Sequence, residues 1–146
     1  MEFRTPGGPG IAATATVSAN QPTSEHPPTL LVVDDDPDIR MLLCDLFKRE
    51  GYRVDVATDG AAAISFLERH APPSAILLDL LMPGILGTSV LQYLGSKAGL
   101  AQVPVAIVSS SPDLAPSGYP LFTKPLKFAP LLAFVRQACH GPAYPA

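Results

Sequence analysis

Short apolar runs recur along this chain, and four of them stop at a polar residue. Leu30 to Val33 (LLVV) stops at Asp34 and Ala75 to Leu78 (AILL) stops at Asp79. Val103 to Val108 (VPVAIV) stops at Ser109, and Leu121 to Thr123 stops at Lys124. Ala75 to Leu78 reads as a strand buried on both faces, as in a parallel sheet, with Leu30 to Val33 a second such run; Val103 to Val108 and the short Leu121 to Thr123 read as further strands. Arg53 to Ala57 (RVDVA) alternates instead and is predicted as a further strand, second in chain order.

Between these runs the spacing turns helical. Ile39, Leu42, Leu43, Leu46 and Phe47 mark the buried face of a helix from Pro37 to about Glu50. Asp36 suits its N-cap, Pro37 its first position and Asp38 its dipole; Gly51 ends it. Asp59 is predicted to cap a second helix through Arg69, with Ala62, Ile64 and Leu67 among its apolar positions and Pro72-Pro73 breaking it. After a turn from Gly84 to Gly87, a short helix from Thr88 to about Ser96 points Val90, Leu91 and Leu94 inward. The last helix runs from about Phe128 to Cys139, with Phe128, Leu131, Leu132 and Val135 packed. Pro130 falls in its first turn, where the missing amide has no intrahelical partner to lose. Strands alternating with helices imply an α/β fold: a doubly wound, five-stranded parallel sheet with right-handed crossovers.

Composition sets the boundaries. Residues 1–28 are rich in Pro, Gly, Thr, Ser and Ala without periodicity and read as a disordered tail, in which His26 is a solvated side chain. Residues 29–140 form one domain, and residues 141–146 a short C-terminal tail. Hydrophobic residues make up 47% of the 146, enough for a core. A net charge of -3 gives no reason to expect direct nucleic-acid or anionic-membrane binding. No apolar stretch is long enough to span a bilayer and no secretory signal is evident, so a cytoplasmic protein is expected. Cys44 and Cys139 are expected to be buried free thiols rather than a disulfide.

The chemistry sits at the strand ends. In a parallel sheet the carboxyl ends share one edge, where open α/β folds place ligands. Asp34, Asp35 and Asp79 crowded there repel one another. A divalent cation resolves the conflict, and an oxygen-only set without His or Cys favours Mg²⁺. Mg²⁺ readily shares itself with a phosphoryl group, and an aspartate carboxylate can attack phosphorus to form an acyl phosphate. The metal and the Lys124 ammonium would offset the phosphoryl charge, and the Ser109 hydroxyl could donate to it.

Here the residues resemble a family. LLVVDDDPDIR, AILLDLLMPG, IVSSS and TKPL, in that order and spacing, are similar to the motifs of the receiver domain of bacterial two-component response regulators, over about Thr29 to His140. The resemblance implies a flavodoxin-like (CheY-like) fold and a phosphoryl-accepting signalling switch. Asp79 would be the phosphoacceptor and Asp35 the direct Mg²⁺ ligand. Asp34 would act mainly through metal-bound water, and the Leu81 backbone carbonyl would be another ligand. Ser109 matches the family's switch Ser/Thr and Lys124 its lysine. The resemblance further implies a sensor histidine kinase or phosphotransfer protein as donor, a downstream protein target, self-dephosphorylation and no classical enzyme turnover. Because only residues 141–146 follow the last helix, a stand-alone receiver acting as a monomer or weak dimer is expected.

The sequence departs from the family pattern in places. MPGILG stands where MPxxDG is usual, with Leu86 in the acidic place, at a cost of about 1 kcal/mol of local capping. Leu121 occupies the usual aromatic position before the lysine, with Tyr119 and Phe122 out of register. Only residues 110–123 separate Ser109 from Lys124, and Pro112, Pro116 and Pro120 crowd them, so the helix usual there is expected to be one turn or absent.

Other readings fit less well. Asp34 to Asp38 spells D-x-D-x-D, but Ile39 stands where a calcium loop needs Gly and Asp45 where it needs Glu. A phosphatase of the haloacid dehalogenase type would need Thr or Val where Asp38 stands. Asp36 and Asp38 read as cap and solvated charge. His70 and His140 read as solvated or capping side chains at helix ends. The alternative from a different class is a receiver-like adaptor that binds partners without phosphorylation.

Overall fold

The computed structural model describes residues 27–82, 84 and 87–140. The expectations for residues 1–26 with His26, for residues 141–146 and for Leu86 lie outside these residues; Pro28, assigned to the tail, accepts the Arg53 amide at 3.0 Å. Nine regular elements follow in chain order: β1 Thr29–Val33, α1 Pro37–Arg49, β2 Arg53–Ala57, α2 Gly60–Arg69, β3 Ala75–Leu78, α3 Gly87–Ser96, β4 Val105–Ser109, β5 Leu121–Thr123 and α4 Phe128–His140. Between β4 and β5 the described helical element is a 3-10 turn, Pro112–Leu114.

The sheet has five strands in the order β2-β1-β3-β4-β5, every neighbour pair parallel. This is the flavodoxin-like doubly wound order, with its switch point between β1 and β3. All four residues of β3 are buried, as an unbroken apolar run requires. Its side chains alternate between two cores. Ile76 and Leu78 join Leu31, Val33 and Ile107 beneath α2 and α3. Ala75 and Leu77 join Leu30, Val32, Ala106 and Val108 beneath α1 and α4, where Phe47 meets Tyr52 and Phe128 edge-on.

The helix boundaries follow local chemistry. Asp36 caps α1, its side chain accepting from the Asp38 amide at 2.9 Å. Gly51 ends α1 at φ +94°, a conformation that costs a side-chain-bearing residue most. Asp59 Oδ1 caps α2 by accepting from the Ala62 amide at 2.7 Å. Asp59→Ala should therefore lower stability by about 1 kcal/mol. A chemical-denaturation midpoint equal to that of wild type would show the cap to be idle.

Four expectations need correcting. Leu42 is 49% exposed, because α1 turns only the Leu43–Phe47 line fully inward. The fourth strand begins at Val105, not Val103, and includes Ser109. Val103 donates its amide back to Leu100, and Pro104 has none to give, although its carbonyl accepts from Ile76 at 2.9 Å. In β2 the alternation is imperfect: Val54 is half-buried, but Val56, on the same face of an edge strand, is exposed. Cys44 and Cys139 are free thiols but half-buried rather than buried; burial pushes Cys139 up to about 11. No helix among the described residues is long and apolar enough to cross a membrane.

Candidate metal and phosphoryl site

The register brings the polar strand ends together. Val33 pairs with Leu78, so the next residues, Asp34 and Asp79, leave adjacent strands at the same level. Strand spacing in a sheet is roughly 4.8 Å, within the reach of two carboxylates. The Asp79 amide donates to the Val33 carbonyl at 2.9 Å and the Lys124 amide to the Ser109 carbonyl at 3.0 Å. Parallel pairing is thus continued one residue beyond β3 and β5, which fixes the backbones that carry both side chains.

Carboxylate oxygens of Asp34, Asp35 and Asp79 lie within 4.8 Å of one another. Asp34 and Asp79 are buried, and Asp35 opens to solvent. Lys124 Nζ sits 2.8 Å from Asp34 Oδ2 and 3.4 Å from Asp79 Oδ2. The closer partner of the lysine is therefore Asp34. Asp34 Oδ1 also accepts the Asp36 amide at 2.9 Å. Asp79 Oδ1 accepts the Leu81 amide at 3.1 Å. Ser109 is fully buried, and its hydroxyl oxygen accepts the Ser111 amide at 3.0 Å, which leaves the hydroxyl able to donate.

Burial pushes the Asp79 carboxyl above its ordinary range and the charge of Asp34 adds to this, while the Leu81 amide and Lys124 pull the other way. Burial alone would lower Lys124. The hydrogen bond and charge of Asp34, then those of Asp79, outweigh it and raise the ammonium's pKa. Three carboxylates against one ammonium leave an excess of negative charge in a half-enclosed site. The donor set is all oxygen, has no His or Cys, and has a solvent-facing member. These are the properties of a Mg²⁺ site, which keeps water and takes few protein ligands.

The strand edge gathers four of the residues named from the sequence. Asp34, Asp35, Asp79 and Lys124 converge, and Ser109 ends the neighbouring strand β4. The Leu81 amide bonds Asp79, with the Leu81 side chain exposed. His70 caps the end of α2, its Nδ1 2.9 Å from the Phe66 carbonyl and its ring stacked on Phe66. His140 contacts the Tyr52 hydroxyl at 3.2 Å. Two features of the site escaped sequence reasoning. Arg40 Nη1 donates to the Asp34 carbonyl at 2.8 Å. Gly87 lies so close to the Asp79 backbone that a Cβ there would meet its carbonyl oxygen at 2.5 Å. The glycine of MPGILG was a sequence signal for the second; the first had none.

Comparison with known proteins agrees with this fold. The sequence profile of the response regulator receiver domain matches residues 30–117. Protein Rrf1 of Nitratidesulfovibrio vulgaris is 33% identical over 115 residues, covering 77% of this chain and 83% of Rrf1. The sensor histidine kinase TmoS of Ectopseudomonas mendocina is 35% identical over 86 residues, covering 59% of this chain but only 9% of TmoS. The response regulator TrrA of Thermotoga maritima, solved in complex with Mg²⁺-BeF, superimposes with a TM-score of 0.67 at 28% identity, covering 76% of this chain and 98% of TrrA. With the fold, the strand-end carboxylates and these relatives in agreement, the chain belongs to the response regulator receiver domain family.

Proposed function

We propose that this protein is a phosphoryl-accepting switch of a two-component system or phosphorelay, with Asp79 as its acceptor. The observation that carries this reading is the convergence of three strand-end carboxylates and one lysine at the switch-point edge of the sheet. A carboxylate oxygen of Asp79 attacks the phosphorus of a phosphohistidine on a kinase or phosphotransfer protein. The P–N bond breaks, its electron pair returns to the imidazole nitrogen, and an aspartyl phosphate remains. Lys124 bridges toward Asp79 and offsets the charge that accumulates on the phosphoryl oxygens. Ser109 turns its hydroxyl to donate to the attached group, and its movement is the local event that a partner reads.

Asp35, Asp79 and the Leu81 carbonyl would hold Mg²⁺ directly. Asp34, both of whose carboxylate oxygens are already engaged, would act through water. When bound, the ion supplies positive charge that draws the phosphoryl oxygens to the site. Turnover is confined to the protein's own phosphoryl group, which is lost by self-dephosphorylation. The chain covers most of Rrf1 and a small part of TmoS, so the donor and the downstream target are read from chemistry alone: a phosphohistidine protein on one side, a protein surface on the other. A domain over residues 29–140, a cytoplasmic location and a crossover from β4 to β5 reduced relative to the family complete the reading. With that crossover reduced, dimerisation through the adjoining face is expected to be weak. The adaptor alternative is not favoured, because the acceptor, metal and lysine positions are all filled.

The test is intact mass after incubation with acetyl phosphate and Mg²⁺. A gain of about 80 Da, one phosphoryl group, is expected, and EDTA should prevent it. No gain, together with no spectral change on adding beryllofluoride and Mg²⁺, would overturn the switch in favour of the adaptor.

A further inference from the structure

The peptide unit joining Asp34 to Asp35 is held from outside the acid cluster. Arg40, in the second turn of α1, reaches back and donates Nη1–H to the Asp34 carbonyl oxygen at 2.8 Å. Its own amide donates to the Asp36 carbonyl at 3.1 Å, so the side chain springs from a fixed point. Asp34 does not need this contact to stay in place. Its amide bonds the Ala57 carbonyl at 3.2 Å, and its carboxylate bonds the Asp36 amide and Lys124. Asp35 is different. It is exposed, and among the described residues its side chain makes no hydrogen bond or ion pair. What aims its carboxylate at Asp34 and Asp79 is the backbone on which it stands. The carbonyl of the peptide leading into that residue is the atom Arg40 grips.

We propose that Arg40 is a positioning residue for Asp35, fixing the 34–35 peptide plane and thereby the Mg²⁺ affinity of the site. The inference rests on the reading of Asp35 as a direct metal ligand. It makes a prediction opposite in sign to simple electrostatics. A guanidinium near a cation site repels the cation, so by charge alone Arg40→Gln would tighten Mg²⁺ binding. Loss of positioning does the reverse, because groups that orient a ligand are typically worth about 10-fold or more in metal affinity. Lysine keeps the charge but lacks the planar fork, so Arg40→Lys should fall between wild type and Arg40→Gln.

Calorimetric titration with MgCl₂ alone, without a phosphodonor, separates these possibilities. Wild type is expected to bind saturably and Arg40→Gln about tenfold more weakly, with Arg40→Lys intermediate. With acetyl phosphate present, the Mg²⁺ concentration for half-maximal phosphorylation should rise by the same factor, while the maximal rate at saturating Mg²⁺ stays unchanged. A change confined to stability, measured in EDTA, would not move that split. Equal or tighter Mg²⁺ binding by Arg40→Gln overturns the inference. If Arg40→Gln does not fold, Arg40→Lys binding as tightly as wild type overturns it instead. Absence of Mg²⁺ binding by wild type itself overturns the metal reading and the inference with it, and is recognisable because it precedes any substitution.

Discussion

Asp79→Asn is expected to abolish phosphoryl addition while leaving the protein folded, with a melting temperature in EDTA at or above that of wild type. The amide has no anionic oxygen to attack phosphorus, so the loss should be complete rather than partial. The fold should tolerate the change because the interactions of Asp79 are not what hold the strand edge together. Asn can still accept the Leu81 amide, and Lys124 keeps its closer partner Asp34 at 2.8 Å. The stability gain follows from the direction of the Asp79 shift. Burial, reinforced by Asp34, raises its carboxyl pKa in the folded state. The folded state then holds the proton more tightly than the unfolded state does. Stability from this group is full below the unfolded-state pKa and is lost as pH rises through the raised folded value. At neutral pH the ionised carboxylate therefore opposes folding, and asparagine removes that opposition. Intact mass and thermal melts, run side by side, check both halves. Labelling that survives the substitution would move the acceptor to Asp34 or Asp35.

Much of this site was legible because a parallel sheet does the assembling. Once Leu30–Val33 and Ala75–Leu78 read as strands, the residues that stop them must meet at one edge, and Asp34 and Asp79 do. Residue type then supplies the chemistry. What was not legible depends on distances that periodicity does not encode. Leu42 has the spacing of a core residue, yet the inward line of α1 narrows to Leu43 and Phe47 and leaves it half in solvent. Val103 and Pro104 look like strand, but one bonds backwards and the other has no amide, so pairing starts two residues later. Arg40 has the sequence signature of an ordinary helix-surface cation, and its reach to the Asp34 carbonyl appears only in three dimensions. That Lys124 sits nearer Asp34 than Asp79 is likewise a matter of tenths of an ångström.

The same substitution at two glycines of α3 is expected to have opposite effects. Gly95 is exposed, and a Cβ built there meets nothing within 4 Å. Gly95→Ala should stabilise the protein by about 0.5–1 kcal/mol, because alanine loses less backbone entropy in a helix. Gly87 begins the helix against the strand edge. A Cβ there would lie 2.5 Å from the Asp79 carbonyl oxygen and 2.7 Å from Leu80 Cα. Both are backbone atoms, which cannot swing aside as a side-chain tip can, and the Gly87 amide is tied to the Leu80 carbonyl at 3.1 Å. Relief requires α3 to lift or the Asp79–Leu80 segment to shift. Overpacking of this kind costs about 1–3 kcal/mol, which outweighs the propensity gain of roughly 1 kcal/mol. The displaced segment also carries Asp79, the proposed phosphoacceptor. A misplacement approaching 1 Å at a reacting group costs on the order of 100-fold in rate, so Gly87→Ala should slow acetyl phosphate labelling by well over its effect on stability. Denaturation midpoints for the two variants, together with labelling rates at saturating Mg²⁺, test this. Gly87→Ala as stable and as fast as wild type would mean that α3 can move freely against β3, and the close packing would then have no part in holding Asp79.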